Sequence, residues 1–161
     1  MADERLLRIY LNDHLALATA AVRLARRSAK SNAGSDLGRT LERIATELDD
    51  ERHVFARAIE ALGYRRNRAK EAAAVVGERL GLLKLNGHVV SHSPLSRVVE
   101  LEALAALVGW NARAWRTLAG LPQLAERLAP LDLERLATEA DERQAELDRF
   151  RPGAASTAFV G

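Results

Sequence analysis

A chain of 161 residues is the length of one ordinary domain, enough to bury about 70% of the surface its unfolded form exposes. With 48% hydrophobic and 29% charged residues it reads as neither a disordered chain nor a membrane protein. The absence of cysteine removes disulfide scaffolds, thiol catalysis and thiolate metal sites, and 24 basic against 22 acidic residues leave a net charge too small to imply a nucleic-acid partner.

Ala, Leu, Arg and Glu dominate, β-branched residues are scarce, and the aromatic share is 4%, a composition that forms helices and has little to fill strands. Asp3 and Glu4 stand where a secretory signal would carry basic residues, and no uncharged apolar run is long enough to span a bilayer. The expectation is a cytoplasmic protein with no membrane attachment.

The first helix is expected from about Asp3 to Ser31, with Leu7, Tyr10, Leu11, Leu17, Ala18, Ala21 and Ala25 on one stripe. Asn32-Ala33-Gly34-Ser35 breaks it, Gly34 acting as the stop and Ser35 or Asp36 as the next N-cap. The second helix spans about Asp36 to Leu62, with Leu37, Leu41, Ile44, Leu48, Phe55, Ile59 and Leu62 inward, and Gly63 closes it. So short a break between long amphipathic helices makes an antiparallel hairpin.

Tyr64-Arg65-Arg66-Asn67-Arg68 reads as a basic linker, Ala69 to about Lys84 as a weaker helical stretch, and Asn86-Gly87 as a turn. Pro94 falls in the first turn of a third helix, about Pro94 to Ala119. That helix is apolar on two faces, Val98, Leu101, Ala105, Val108, Ala112 and Trp115 on one and Val99, Ala103, Ala106 and Trp110 on the other, so it is central or covered. After Gly120-Leu121-Pro122 and a short helical piece over Gln123 to Ala129, a fourth long helix runs from about Asp132 to Arg151, with Leu133, Leu136, Ala137, Ala140, Leu147 and Phe150 inward. The domain is expected over residues 1–151, and residues 152–161 read as a tail without pattern.

Four long helices with one long connection in the middle form a bundle, and a helical linker rising ~1.5 Å per residue returns the third helix parallel to the second. Two antiparallel hairpins joined by a long crossover resemble the ferritin-like bundles over about residues 3 to 151. Locally, Leu85-Asn86-Gly87 with Ser93-Pro94-Leu95-Ser96-Arg97-Val98 and Glu100-Leu101-Glu102 is similar to a segment of an uncharacterised family of bacterial helical proteins, a likeness that carries no activity. Ala45-Thr46-Glu47-Leu48-Asp49-Asp50-Glu51-Arg52 is echoed by Ala137-Thr138-Glu139-Ala140-Asp141-Glu142-Arg143 with one residue dropped, in keeping with two related hairpins.

The ferritin-like resemblance implies two metals in the core, each half giving a Glu from one helix and a Glu-x-x-His from the next, a set suited to iron or manganese. The sequence departs from that pattern. Asp50 and His53 have the spacing but lie roughly 140–160° from Leu48, facing out. Glu51 faces in, yet Val54 stands three residues later. The fourth helix offers Glu139 and Glu142 without a histidine, and Glu100 and Glu102 sit on the flanks of the third.

His14 lies at the centre of the first helix's stripe and, by level-counting across the hairpin, opposite about position 53. Glu51 occupies the inward slot between Leu48 and Phe55, so an imidazole and a carboxylate are expected to meet in the apolar centre. Arg143 and Gln144 flank the inward direction of the fourth helix at the same level, and Glu47 lies one turn before Glu51. Pairing is nearly obligatory there, because an unpaired buried charge costs several kcal/mol. His14, Glu47, Glu51, Arg143 and Gln144 are therefore a candidate polar layer or ligand pocket, and an Arg in the core opposes a bound dication.

The other clusters have plainer readings. Arg23, Arg26, Arg27 and Lys30 complement the C-terminal dipole of the first helix. Arg65, Arg66, Arg68 and Lys70 read as a solvated linker rather than a nucleic-acid patch. His88 and His92 fall in a loop with no further zinc ligands, Ser91 and Ser96 near His92 lack the frame of a catalytic triad, and no phosphate-binding glycine loop occurs.

The expectation is an all-α four-helix bundle with ferritin-like connectivity, a lost or heavily altered metal site, no cofactor and no catalytic residues. It acts as a non-enzymatic protein that self-associates as a homodimer or other homo-oligomer through Val99, Ala103, Ala106 and Trp110. One alternative is an oxidoreductase or metal-storage protein holding iron or manganese on His14, Glu47 and Glu51. Another is a small-ligand binding protein using the same polar layer.

Overall fold

The computed structural model describes residues 3–70, 73 and 93–160. The 69–84 stretch beyond residue 70 (residue 73 apart), the Asn86-Gly87 turn, His88, Ser91, His92 and the Leu85-Asn86-Gly87 part of the likeness to the bacterial helical family lie outside those residues. Five helices are placed in full: α1 (Glu4–Ser31), α2 (Asp36–Ala61), α3 (Pro94–Ala119), the short α4 (Pro122–Arg127) and α5 (Leu133–Phe159). No strand occurs among the described residues, so the fold is all-α. No described helix is long and apolar enough to cross a membrane.

Each long helix starts at a side-chain cap, Asp3, Ser35, Ser93 and Asp132, whose oxygen accepts from first-turn N–H groups. Each such cap stabilises its helix by about 1 kcal/mol. Pro94 takes the first-turn position of α3, where a missing N–H costs nothing. α2 ends in a Schellman turn: Gly63, at φ +78°, donates to the carbonyl of Glu60, and Tyr64 donates to that of Ile59. That left-handed glycine reverses the chain sharply.

α1 packs closely on α2, α3 on α5, and α1 on α3, whereas α2 and α5 touch only sparsely. Ser28 meets Glu100 and His14 meets Trp110, so α3 runs antiparallel to α1 and therefore parallel to α2. The core divides into two apolar clusters. One gathers Leu24, Leu41, Ile44, Leu48, Leu104, Val108 and Leu147. The other gathers Leu11, Leu15, Phe55, Ile59, Trp115, Leu118 and Leu128, the last brought in by the α4 turn.

The last helix departs from expectation. It does not stop at Arg151 but continues through Pro152 to Phe159. The pattern overlooked in the tail is Ala154, Ala155 and Ala158, which continue the helical spacing of Phe150: Ala154 is buried, and Phe150, Ala155 and Ala158 pack against the first apolar cluster. Pro152 itself is exposed, and the packing on either side offsets the backbone hydrogen bond that its ring removes.

Candidate functional site

The inward carboxylate of Glu51 forms the centre of a buried polar cluster. Its side chain sits where the second helix passes from one apolar cluster to the other, between Leu48 and Phe55. Glu51 is 3% exposed, and three donors reach it from the facing helices. Trp115 Nε1 donates to Oε1 over 2.6 Å, Asn111 Nδ2 donates to Oε2 over 3.1 Å, and Arg143 Nη2 stands 3.1 Å from Oε2. Indole N–H and guanidinium only donate, so the arrangement is complementary to an ionised carboxylate. Burial pushes the Glu51 carboxyl above its usual range, against the pull of Arg143, Trp115 and Asn111.

His14 does not join this cluster. Its imidazole is 3% exposed and lies among rings, 4.5 Å from Tyr10, 5.9 Å from Phe55 and 6.4 Å from Trp110 by centroid, with Nδ1 lacking a hydrogen-bond partner. The level expected from the hairpin is nearly right, since Phe55 lies two residues from position 53. The direct contact with Glu51 is not made, because Phe55 fills the space where the two would meet. Phe55 stacks on Trp115 at 3.9 Å, and Trp115 in turn holds Glu51. The two polar groups are thus joined only through two aromatic rings. Burial pushes the His14 imidazole down to about 4, with Asp13 opposing, so at neutral pH it is uncharged.

The remaining members of the expected layer disperse. Glu47 is half-buried and pairs with Arg43 at the edge of the bundle. Gln144 turns toward α3, where its Oε1 lies against Gly109. Arg143 is where the sequence places it, 6% exposed and facing Glu51, but Nε has no acceptor and Nη2 is out of hydrogen-bonding alignment despite its distance. Asn111 Oδ1 is likewise buried without a partner. Orphaned polar atoms in so small a volume are uncommon in folded proteins.

Two members were legible in the sequence and overlooked. Asn111 lies on the stripe formed by Leu104, Val108 and Trp115, at steps of four and three residues, so a buried polar residue was there to be read. Trp115 was read as apolar core alone, although a buried indole N–H nearly always finds an acceptor. Glu100 also departs from expectation: instead of sitting on a flank it is 8% exposed, accepting a 2.7 Å hydrogen bond from Ser28 Oγ, with Arg27 Nε 3.6 Å away. Glu102, by contrast, is exposed.

Where α2 and α5 fail to close, a cavity of about 490 Å³ opens with Glu51, Arg143, Val54 and Leu136 at its lining. Arg43, Glu47, Asp50, Arg135, Glu139, Glu142 and Glu146 complete it, six carboxylates against three guanidiniums in all. The rim is thus acidic, and its arginines are engaged: Arg43 with Glu47 and Glu146, Arg135 with Glu139. Asp50 and His53 point outward, as the helical wheel requires, and His53 Nδ1 lies 2.7 Å from the Asp49 carbonyl. Among the described residues no group of three or more His, Asp and Glu side chains is placed to hold a metal ion.

On the second face of α3, Trp110 is 54% exposed and Ala106 is exposed, while Val99 and Ala103 are half-buried, Ala103 packing against the first apolar cluster. The expected interface therefore narrows to Trp110 and its immediate surroundings. In comparisons with known proteins, no family model, no curated sequence and no solved structure matches this chain.

Proposed function

We propose that this chain is a non-enzymatic helical-bundle protein of ferritin-like connectivity, with a protein-internal ion-pair cluster in place of a di-metal site, and that it works by association with copies of itself. The observation that carries the reading is the wiring of Glu51. Both oxygens of the inward carboxylate are engaged by Trp115, Asn111 and Arg143, and a guanidinium 3.1 Å away repels the dication such a carboxylate would otherwise bind. The parallel course of α2 and α3 supports the connectivity, and the exposed Trp110 supports the association.

Elemental mass spectrometry after anaerobic loading with Fe(II) and Mn(II) tests the first part. Metal at background is expected. Near-stoichiometric iron or manganese that disappears in Glu51→Ala would overturn the reading in favour of a carboxylate metalloprotein. Sedimentation velocity tests the second part, with an oligomer expected for the native chain and a monomer for Trp110→Lys.

A second reading, small-ligand binding, is favoured by the open α2–α5 cleft. Arg143 lines that cleft, and a guanidinium pairs with a ligand carboxylate through charge-assisted hydrogen bonds. The acidic rim suits a positive group on the same ligand, which makes a small zwitterion the class to screen. A rise in melting temperature with such a compound, lost in Arg143→Met, would favour this reading over the first.

A further inference from the structure

Away from the core, the sequence Tyr64-Arg65-Arg66-Asn67-Arg68 would scatter its charges into solvent if it were only a linker. It does not. The Schellman turn at Gly63 folds the segment back onto the first turns of α1, and Asn12 fastens it there. Asn12 is 4% exposed. Its Oδ1 accepts from the Asn67 N–H over 2.6 Å, and its Nδ2 donates to the carbonyls of Arg8 at 2.9 Å and Arg65 at 3.4 Å. Asn67 Oδ1 then accepts from the N–H of Lys70, which starts the next helical turn, and Lys70 is ion-paired with Asp13 on α1.

One buried amide thus holds the basic segment against a helix that contributes a further arginine. Arg8, Arg65, Arg66, Arg68 and Lys70 converge on a cavity of about 330 Å³, and among the described residues no carboxylate lines it. Even with Lys70 answered by Asp13 and Arg66 left out of the count, Arg8, Arg65 and Arg68 bring three guanidiniums around a space smaller than a Debye length, where like charges repel and a polyanion is attracted. Guanidinium forks match phosphate oxygens with paired hydrogen bonds. The volume is at the lower end for a small-molecule site, and among the described residues no aromatic ring lines it on which a base would stack. These features select for a short, highly charged anion and against a nucleic-acid strand.

We propose that this cavity, built from Arg8 on α1 and the Arg65–Lys70 segment, is a binding site for a diphosphate or triphosphate group. The site is independent of the Glu51 cluster and of any role in association. Isothermal titration calorimetry of the full chain with sodium triphosphate, pyrophosphate and phosphate at constant ionic strength is the test. Saturable one-to-one binding is expected, tightest for triphosphate and weakest for phosphate. Arg65→Ala, Arg68→Ala and Arg8→Ala should each weaken it by about tenfold, the loss of one charge-assisted fork. Arg39→Ala, at the opposite end of α2, should leave it unchanged. All four positions are exposed, so the variants keep the fold, which circular dichroism verifies. Absence of saturable binding, or equal weakening in Arg39→Ala, would overturn the proposal. So would an oligouridylate that binds more tightly than triphosphate and is lost in the same variants, since it would make the ligand a polymer.

Discussion

Arg143 Nη2 lies 3.1 Å from Glu51 Oε2, and the two side chains are 7% and 2% exposed. At that burial the attraction between them and the cost of desolvating each are both large, so the pair stabilises the bundle less than it penalises the loss of one member. Arg143→Met should therefore cost about 3–5 kcal/mol, because the carboxylate stays behind without its countercharge. In the double variant Glu51→Gln/Arg143→Met the loss should be smaller than the sum of the single losses by more than about 1 kcal/mol. Urea unfolding of the four proteins gives the coupling directly. Additive losses would mean that the two charges are stabilised by other partners.

The buried imidazole sets a pH dependence whose sign is fixed. His14 titrates near 4 in the folded chain and near 6.5 when unfolded, so between those values the unfolded chain binds more protons. Its contribution is full above pH 6.5 and is lost as pH falls toward 4, to a limit of about 3 kcal/mol. Glu51 acts in the opposite sense: with its folded value raised, the stability it confers is present at low pH and declines as pH rises above 4.5. His14→Phe isolates the first effect. The stability of the native chain relative to that variant should fall between pH 6.5 and 4, and a constant difference over that range would remove the basis for a neutral, buried imidazole.

Two helical glycines should respond oppositely to alanine. At Gly38 an added Cβ would lie 2.2 Å from the carbonyl oxygen of Asn32, backbone that has no room to yield. Gly38→Ala should thus destabilise by about 1–3 kcal/mol despite the better helix propensity of alanine. At Gly109 the obstacle is Gln144 Oε1, the tip of a flexible side chain 2.4 Å away. In a Gln144→Ala background, Gly109→Ala should stabilise by up to about 1 kcal/mol, and by less in the native chain. Thermal unfolding of these variants checks both signs.

The two tryptophans differ enough in burial to report on association. Trp115 is fully buried and Trp110 is 54% exposed. In dilute solution acrylamide should quench about half of the emission, that of Trp110, and leave the rest protected. At high protein concentration the quenchable fraction should shrink as Trp110 is covered in the oligomer, and Trp110→Phe should leave only the protected signal. A quenchable fraction independent of concentration would contradict association through this face.

Periodicity and punctuation alone located four long helices, the Ser35 N-cap and the glycine stops, because capping and amphipathic spacing are local and one residue's place on the stripe follows from its neighbours. They also placed His14, Glu51 and Arg143 inside, since inward direction is a property of one helix at a time. The internal echo shows how fine that reading is. Dropping one residue turns the fourth long helix by about 100° relative to the second, so Glu51 faces in where its counterpart Glu142 faces out, and Arg143 is buried where Arg52 is not. Pairing across helices was not legible in the same way. Whether His14 reaches Glu51 depends on where the Phe55 ring lies. Whether Gln144 joins Arg143 depends on the small Gly109 opposite it. The gathering of Arg8 with Arg65–Lys70 depends on one asparagine reaching across 53 to 55 residues of sequence. The sequence determines which residues are available to the interior. Only tertiary packing, in which each ring and amide excludes or admits a neighbour, decided which of them touch.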